Sequence, residues 1–184
     1  MNELDRGAII ALFRRAGAVR LYVKRLAPND NSKNQVYLGG SYAVLNQFPF
    51  EEPMAVPSDK GRAVIHARVP LEWLRADGTS EPARNTKLIL YPQYPEVRLS
   101  GFLLGCSSAP NALMTSRVDG RLLFLGVTAD RRVLACALAA NSTVANELAA
   151  AGVFTDSSLL VPVTWTDEAE RRDRLLAALL EISQ

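Results

Sequence analysis

The chain has 184 residues, 48% of them hydrophobic, which suits one globular domain with a substantial core. Its 21 Lys plus Arg against 19 Asp plus Glu give a net charge of +2, too small to indicate a nucleic-acid binder by bulk charge. Two cysteines, one histidine and the lack of a signal peptide or a bilayer-spanning apolar run argue against a disulfide scaffold, a Cys/His metal cluster and a membrane span, and predict a soluble protein in a reducing compartment.

An amphipathic helix is predicted at the amino terminus, with acidic residues at its start, basic residues at its end and Gly17 as its stop. A strand follows, because apolar residues alternate with other side chains over positions 19–23. The strand ends in the positive pair Lys24 and Arg25. Six Lys or Arg side chains lie between positions 14 and 35, against the single carboxylate of Asp30. The excess of positive charge is therefore concentrated around this strand and the segment after it.

The segment after the strand is an amide-rich loop, and a second strand resumes at Val36. A scaffold that presents a polar, basic loop between two apolar strands would suit the reading of base edges in nucleic acid. A polar surface turn is the alternative interpretation. The candidate DNA-binding residues of this first stretch are Lys24, Arg25, Asn29, Asp30, Asn31, Ser32, Lys33, Asn34, Gln35 and Tyr37.

In the middle of the chain, positions 49–61 contain three prolines and a terminal glycine, and this pattern predicts a surface loop. Positions 62–69 alternate as a strand that includes His66, which we interpret as a structural residue. Leu71, Trp73 and Leu74 are interpreted as a short packed turn, and the run 76–78 as a further turn.

A second informative stretch follows, in which a strand through positions 88–90 meets two prolines and another strand begins near Val97. It repeats the design of the first stretch, since a polar and aromatic loop lies between two apolar strands. The alternative is a proline-stiffened hairpin whose tyrosines cover the core. The candidate DNA-binding residues here are Tyr91, Gln93, Tyr94, Glu96, Arg98 and Ser100.

The last third of the chain is predicted to contain a hairpin of core strands at 121–127 and 131–138, then an Ala-rich helix at 141–151 capped by Asn141 or Ser142. Positions 159–163 are predicted to form an edge strand, because Pro162 cannot donate a hydrogen bond within a sheet centre. A final amphipathic helix is expected after Thr166. The predicted fold class is mixed α+β, mainly β, with about seven strands in a barrel-like sheet and peripheral helices.

The sequence lacks the motifs of several kinds of catalytic site. No glycine-rich phosphate loop and no Cys or His set with metal-ligand spacing is present. Ser58-Asp59-Lys60 contains the residue types of a Mg²⁺ nuclease but falls in a predicted loop without flanking core strands. Cys106 and Cys136 are interpreted as buried free thiols. We therefore expect a non-catalytic chain without a cofactor or metal, and rank a nuclease that uses Asp59 last among the alternatives.

The two informative stretches resemble a known family. Tyr22-Val23-Lys24-Arg25-Leu26, followed by Asn29-Asp30 and Gln35-Val36, resembles the start of the amino-terminal effector domain of EcoRII-type (type IIE) restriction endonucleases, and Glu96-Val97-Arg98 resembles part of that domain's second recognition loop. The resemblance implies the DNA-binding pseudobarrel also found in plant B-three transcription factors. It further implies a monomeric bacterial cytoplasmic protein in which residues 1–184 form one DNA-binding domain, with a Mg²⁺-dependent nuclease domain expected after position 184.

The resemblance implies binding to CC(A/T)GG duplexes by two arms that grip the major groove, one formed by Lys24 and the loop 29–35 and the other by residues 91–100. The residue types fit this target, since Arg98 can donate two hydrogen bonds to guanine and Glu96 can accept one from a cytosine amine. Lys24, Arg25 and Lys33 are expected to hold phosphates. The family's second loop is rich in basic residues, whereas here Tyr91-Pro92-Gln93-Tyr94-Pro95 replaces much of that charge. Gln93 and Tyr94 are therefore the expected readers of bases or of a thymine methyl in that arm. A protein-interaction module that uses the Tyr/Pro loop is the leading alternative.

Overall fold

The computed structural model describes residues 6–27, 30, 35–40, 42–57, 63–75, 77–101, 122–139, 142–150 and 161–163. Within these ranges lie two α-helices, one 3₁₀ helix and eleven strands. In chain order they are α1 (Arg6–Arg15), β1 (Ala18–Arg25), β2 (Gln35–Gly39), the 3₁₀ helix (Tyr42–Gln47), β3 (Glu51–Pro57), β4 (Ala63–Arg68), β5 (Leu71–Leu74), β6 (Ser80–Pro82), β7 (Lys87–Tyr91), β8 (Glu96–Ser100), β9 (Leu122–Thr128), β10 (Val133–Leu138), α2 (Thr143–Ala150) and β11 (Val161–Val163).

The strands form two sheets. The first sheet has the order β11-β1-β9-β10-β5-β6 and the second the order β2-β8-β7-β4-β3. Neighbouring strands are antiparallel, except that β5 and β10 run parallel. The predicted mainly β, mixed α+β class with peripheral helices is confirmed, with more strands than the seven expected; the two sheets do not close into a barrel.

Strand β9 lies near the middle of the first sheet, and all seven of its residues are buried. Successive side chains of a strand point to opposite faces, so β9 contributes to two cores. Leu122 and Phe124 pack towards α1 and α2, whereas Leu123 and Leu125 pack towards the second sheet. The fold is therefore three-layered, with helices, first sheet and second sheet in that order.

The second sheet covers the first with one apolar face. Val36, Leu88 and Leu99 face the core formed around Trp73, which is fully buried. The residues that alternate with them along β2, β7 and β8 point to the opposite side, which we call the outer face. The outer face is the part of the fold that positions the candidate site.

Most of the elements predicted from the sequence are confirmed. Gly17 ends α1 with a φ of 88°, and the Oγ of Ser142 caps α2 by accepting a hydrogen bond from the Ala145 N–H at 3.3 Å. The hairpin β9–β10 and the hairpin β7–β8 are present, and β11 is an edge strand as its proline required. Cys136 is a buried free thiol, and its burial raises the pKa of the thiol to about 11. The final helix, Cys106 and the segment Ser58-Asp59-Lys60 lie outside the described residues.

Two predictions of secondary structure were wrong. Residues Glu51–Pro57, expected in a surface loop, form the edge strand β3, because Pro53 lies at an irregularity in the register and Pro57 lies at the strand end. Prolines are tolerated at both kinds of position on an edge. Residues Leu71–Leu74, expected as a turn, form strand β5 between β10 and β6. Among the described helices, none is long and apolar enough to cross a membrane.

We predict that Gly126→Ala destabilises the fold by about 1–3 kcal/mol. A Cβ atom at this position of β9 would lie 2.5 Å from the Cδ1 atom of Phe13, a side chain of α1 that is fully buried and has no space to move. The measurement is urea unfolding of the variant and the wild type. Gly39→Ala is the matched control, since a Cβ there would meet only Val44 at 4.0 Å. Equal stability of the two variants would contradict the prediction.

Candidate nucleic-acid interface

The two stretches singled out in the sequence become neighbours in the second sheet. Strand β2, which follows the first loop, is hydrogen-bonded to β8, which follows the second loop. Gln35 lies opposite Ser100, and Tyr37 lies opposite Arg98. All four residues point to the outer face, because Val36, Val97 and Leu99 between them are core residues. Residues more than 60 positions apart in the chain therefore share one surface.

The outer face also carries residues that the sequence reasoning did not assign to the site. The strand register places Arg68, Lys87 and Ser100 in one row across β4, β7 and β8. It places His66, Ile89 and Arg98 in a second row across the same strands. Three cationic side chains, those of Arg68, Lys87 and Arg98, thus lie on one sheet surface. The alternation within positions 62–69 was the available signal, but the pairing of β4 with β7 cannot be read from a pattern within one strand.

Arg98 is held on this surface by two hydrogen bonds and a contact with an aromatic ring. Its Nε donates a hydrogen bond to Glu96 Oε1 at 2.8 Å, and its Nη2 donates a second one to the same oxygen. The guanidinium carbon lies 5.8 Å from the centroid of the Tyr91 ring, within the range of a cation–π contact. Both partners are about one-quarter exposed, so the pair is accessible from the solvent. These two bonds use the Nε/Nη2 edge of the planar guanidinium, whose other edge carries further N–H donors at Nη1 and Nη2.

The β7–β8 turn projects beyond the sheet next to this ion pair. Residues 92–95 are exposed, and Tyr94 has 56% of its surface accessible. The turn is closed by two backbone hydrogen bonds, from Tyr94 N to Tyr91 O at 3.0 Å and from Glu96 N to Tyr94 O at 2.6 Å. Beside it lies an open depression of about 490 Å³ lined by Tyr37, Gly40, Tyr94, Pro95 and Glu96. The predicted reader Tyr94 is thus presented on a closed turn, and Gln93 beside it is exposed.

Asp30 is the one described residue of the first loop between position 27 and β2, and it is 5% exposed. Its Oδ2 accepts a hydrogen bond from the Ala27 N–H at 2.9 Å, and its Oδ1 accepts one from the Tyr37 N–H at 3.2 Å. Its own N–H donates to the Ala27 carbonyl at 3.0 Å. Because β2 is the edge strand of the second sheet, the Asp30 carboxylate occupies the side of Tyr37 that faces away from β8.

Lys24 is the charged partner of Asp30 and is 1% exposed. Its Nζ lies 3.8 Å from Asp30 Oδ2 and 5.9 Å from the centroid of the Tyr37 ring. The interpretation of Lys24 as a phosphate contact is therefore corrected, because a buried ammonium cannot reach a DNA backbone from this position. The placement of Asp30 on the contact surface is corrected for the same reason. A mixed charge run suggests a solvated surface, and only the fold shows which of its members pair inside.

The other predicted residues divide into two groups. Arg25 ends β1 opposite Leu122 and is partly buried, and Gln35, Tyr37 and Ser100 are partly exposed on the outer face. The remaining members of the first loop lie outside the described residues, namely Asn29, Asn31, Ser32, Lys33 and Asn34.

The outer face also contains a titratable contact. The Nζ of Lys87 lies 3.3 Å from the Nδ1 of His66, across the β4–β7 pair. Partial burial lowers the pKa of His66 below its ordinary value, and the positive charge of Lys87 lowers it further. His66 is thus neutral at physiological pH, and its Nδ1 accepts a hydrogen bond from the ammonium group of Lys87. Among the described residues, no group of three or more His, Cys, Asp or Glu side chains is arranged to hold a metal ion.

Comparison of the chain with models of protein families, with curated proteins and with solved structures finds no match in any of the three. Any functional conclusion therefore depends on the residues of the site and on the resemblance of its two stretches.

We predict that Asp30→Ala destabilises the protein by about 3–5 kcal/mol, because it removes the carboxylate that lies 3.8 Å from the buried Lys24 ammonium. The two backbone N–H groups of Ala27 and Tyr37 also lose their acceptor. Chemical unfolding measures the effect. The double variant Lys24→Met/Asp30→Ala is the control and should recover part of the loss, since it buries no charge. A double variant less stable than Asp30→Ala would contradict the assignment.

We predict that the imidazole of His66 titrates below its ordinary pKa of 6.5 in the folded protein. Because the folded state then binds this proton less readily than the unfolded chain, the stability contributed by neutral His66 is fully present above 6.5 and is lost as the pH falls from 6.5 through the lower pKa of the folded state. His66 is the only histidine, so its NMR titration gives a single curve. Lys87→Met should raise the midpoint by the smaller, charge-dependent part of the shift. A midpoint at or above 6.5 in the wild type would refute the prediction.

Proposed function

We propose that this chain is a sequence-specific, double-stranded DNA-binding effector domain of a type IIE restriction endonuclease. In this proposal it binds a CC(A/T)GG-like site in the major groove as a monomer and stimulates a nuclease domain that follows position 184. The resemblance of the two stretches to EcoRII-type effector domains supplies the target and the parent enzyme.

The pairing of β2 with β8 is the observation that carries the proposal. Recognition by two arms requires two loops, distant in the sequence, to open onto one surface, and this pairing sets Tyr37 opposite Arg98 on the outer face. The same face adds Lys87 and Arg68 through the β7–β4 pair. A surface with cations, tyrosines and a projecting turn has the chemistry to hold phosphates and to contact base edges.

Different side chains would have different roles in such a complex. Arg98 would donate to guanine through the guanidinium edge that Glu96 does not occupy, and Glu96 would orient it. Tyr94 and Gln93 on the turn would contact bases or a thymine methyl group. Arg68, whose side chain is 80% exposed, and Lys87 would hold phosphates, which adds affinity and salt dependence but no sequence preference.

The first experiment is a gel-shift titration of the 184-residue chain with a CC(A/T)GG duplex and with a scrambled duplex, at two salt concentrations and without Mg²⁺. Specific readout requires the scrambled duplex to bind weaker by a factor on the order of 10³ or more. Equal binding to both duplexes would reduce the site to a nonspecific basic surface.

Arg98→Ala is predicted to weaken binding to the cognate duplex by about 1–3 kcal/mol, with a smaller loss on scrambled DNA. The matched control is Arg75→Ala. Arg75 is also an arginine paired with a carboxylate, that of Glu81 at 2.6 Å, but it directly follows β5 and pairs with the edge strand β6 of the first sheet. The control should bind both duplexes like the wild type. Equal losses on the two duplexes would make Arg98 a phosphate contact instead.

A protein-interaction module is the second candidate, favoured by the exposed Tyr94 on a turn between two prolines. Exposed aromatic residues are enriched at protein interfaces. The same titration separates the two candidates, since a protein-interaction module would bind neither duplex.

A further inference from the structure

We propose that Lys24 and Asp30 form a positioning unit for DNA recognition, although neither touches the DNA. The inference rests on the proposed function and concerns how its first arm is held. The buried pair links β1 of the first sheet to β2 of the second sheet through one carboxylate, which holds the backbone N–H groups of Ala27 and Tyr37.

The geometry connects the pair to the outer face in two steps. Asp30 accepts hydrogen bonds from the backbone N–H groups of Tyr37 and Ala27, so it ties β2 to the end of the segment that leaves β1. Tyr37 in turn lies opposite Arg98 in the β2–β8 register. A shift of Asp30 would therefore move the tyrosine next to the arginine that is proposed to read guanine.

Burial separates this role from that of a contact residue. Lys24 and Asp30 have side chains that are 1% and 7% exposed, so neither can exchange its partner for a phosphate or a base without leaving the interior. Recognition sites require their contact residues to be held within about 0.5 Å of the productive geometry by supporting groups. The pair meets this description, since it is buried, charged and directly bonded to a strand of the surface.

The position of the pair also explains why a lysine is present at the end of a strand of apolar residues. Its ammonium lies between the Asp30 carboxylate and the Tyr37 ring, at 3.8 Å and 5.9 Å. An apolar side chain at position 24 would fill the space but would leave the carboxylate without its counter-charge. The charge of Lys24 therefore holds Asp30 against β1.

The test compares Lys24→Met and Asp30→Asn with the wild type in the same gel-shift titration, with the salt concentration varied. We expect each variant to raise the cognate dissociation constant about tenfold, and to change binding to the scrambled duplex less than about twofold. We also expect Lys24→Met to keep the slope of log K against log salt. A phosphate contact would lower this slope by about one, so that result would overturn the positioning role.

Val133→Ala is the matched control for stability. Val133 is 1% exposed in the core between the sheets, and its truncation destabilises the fold without touching the loop. This control should retain the wild-type preference for the cognate duplex, with folding of all variants checked by circular dichroism. If Asp30→Asn does not fold, the gel-shift comparison of Lys24→Met with the wild type is the test of the inference. An unchanged preference in a folded variant would overturn the inference, whereas a wild-type chain without preference would instead refute the proposed function.

Discussion

The buried ion pair between Lys24 and Asp30 is the constraint on which the first arm of the proposed recognition surface depends. Transfer of two charges from water into a protein costs several kcal/mol per ion, and their attraction offsets this cost only when the remaining hydrogen-bonding groups are satisfied. Asp30 meets the condition with two backbone N–H donors. A pair of this kind contributes little net stability, but removal of one partner alone is strongly destabilising because it leaves the other charge buried. Its physical effect is to make one arrangement of β1, the loop and β2 far more favourable than the alternatives.

The same pair protects a sheet edge, and each of the other edges formed by the described strands is protected in its own way. The first sheet ends in β11 and β6, which contain Pro162 and Pro82, and the second sheet ends in β3, which contains Pro53 at a register irregularity. Proline cannot donate to an added strand, and irregular edges pair poorly. Growth of the sheets by strand addition is thus disfavoured on every side. The proposed function accordingly uses the outer face and not an edge.

Local patterns were sufficient for elements whose pairing is local. The β7–β8 and β9–β10 hairpins follow from alternation around turn residues, and the cap at Ser142 follows from its side chain. Strand β5 was missed because four residues carry too little periodicity and because its partner β10 lies 62 positions away. Asp30 was misplaced for a similar reason. In a polar run, a single aspartate has the pattern of a surface residue, and only the tertiary fold brings the buried Lys24 to it.

The two arms of the proposed site differ in what holds them. The β7–β8 turn is fixed by its own backbone hydrogen bonds, and Arg98 is held by Glu96 and Tyr91 within the same hairpin. The first arm combines local and distant support at its described end, since Asp30 bonds Ala27 three residues back but also reaches forward seven residues to Tyr37, and its ion-pair partner Lys24 lies in the first sheet. Side chains that are ordered before binding lose less conformational entropy when the ligand arrives. Arg98 is therefore prepared by contacts close in sequence, whereas Asp30 also depends on the packing of one sheet against the other. Any change that alters how the sheets pack would therefore reach the proposed site through Asp30 and Tyr37 before it reaches Arg98.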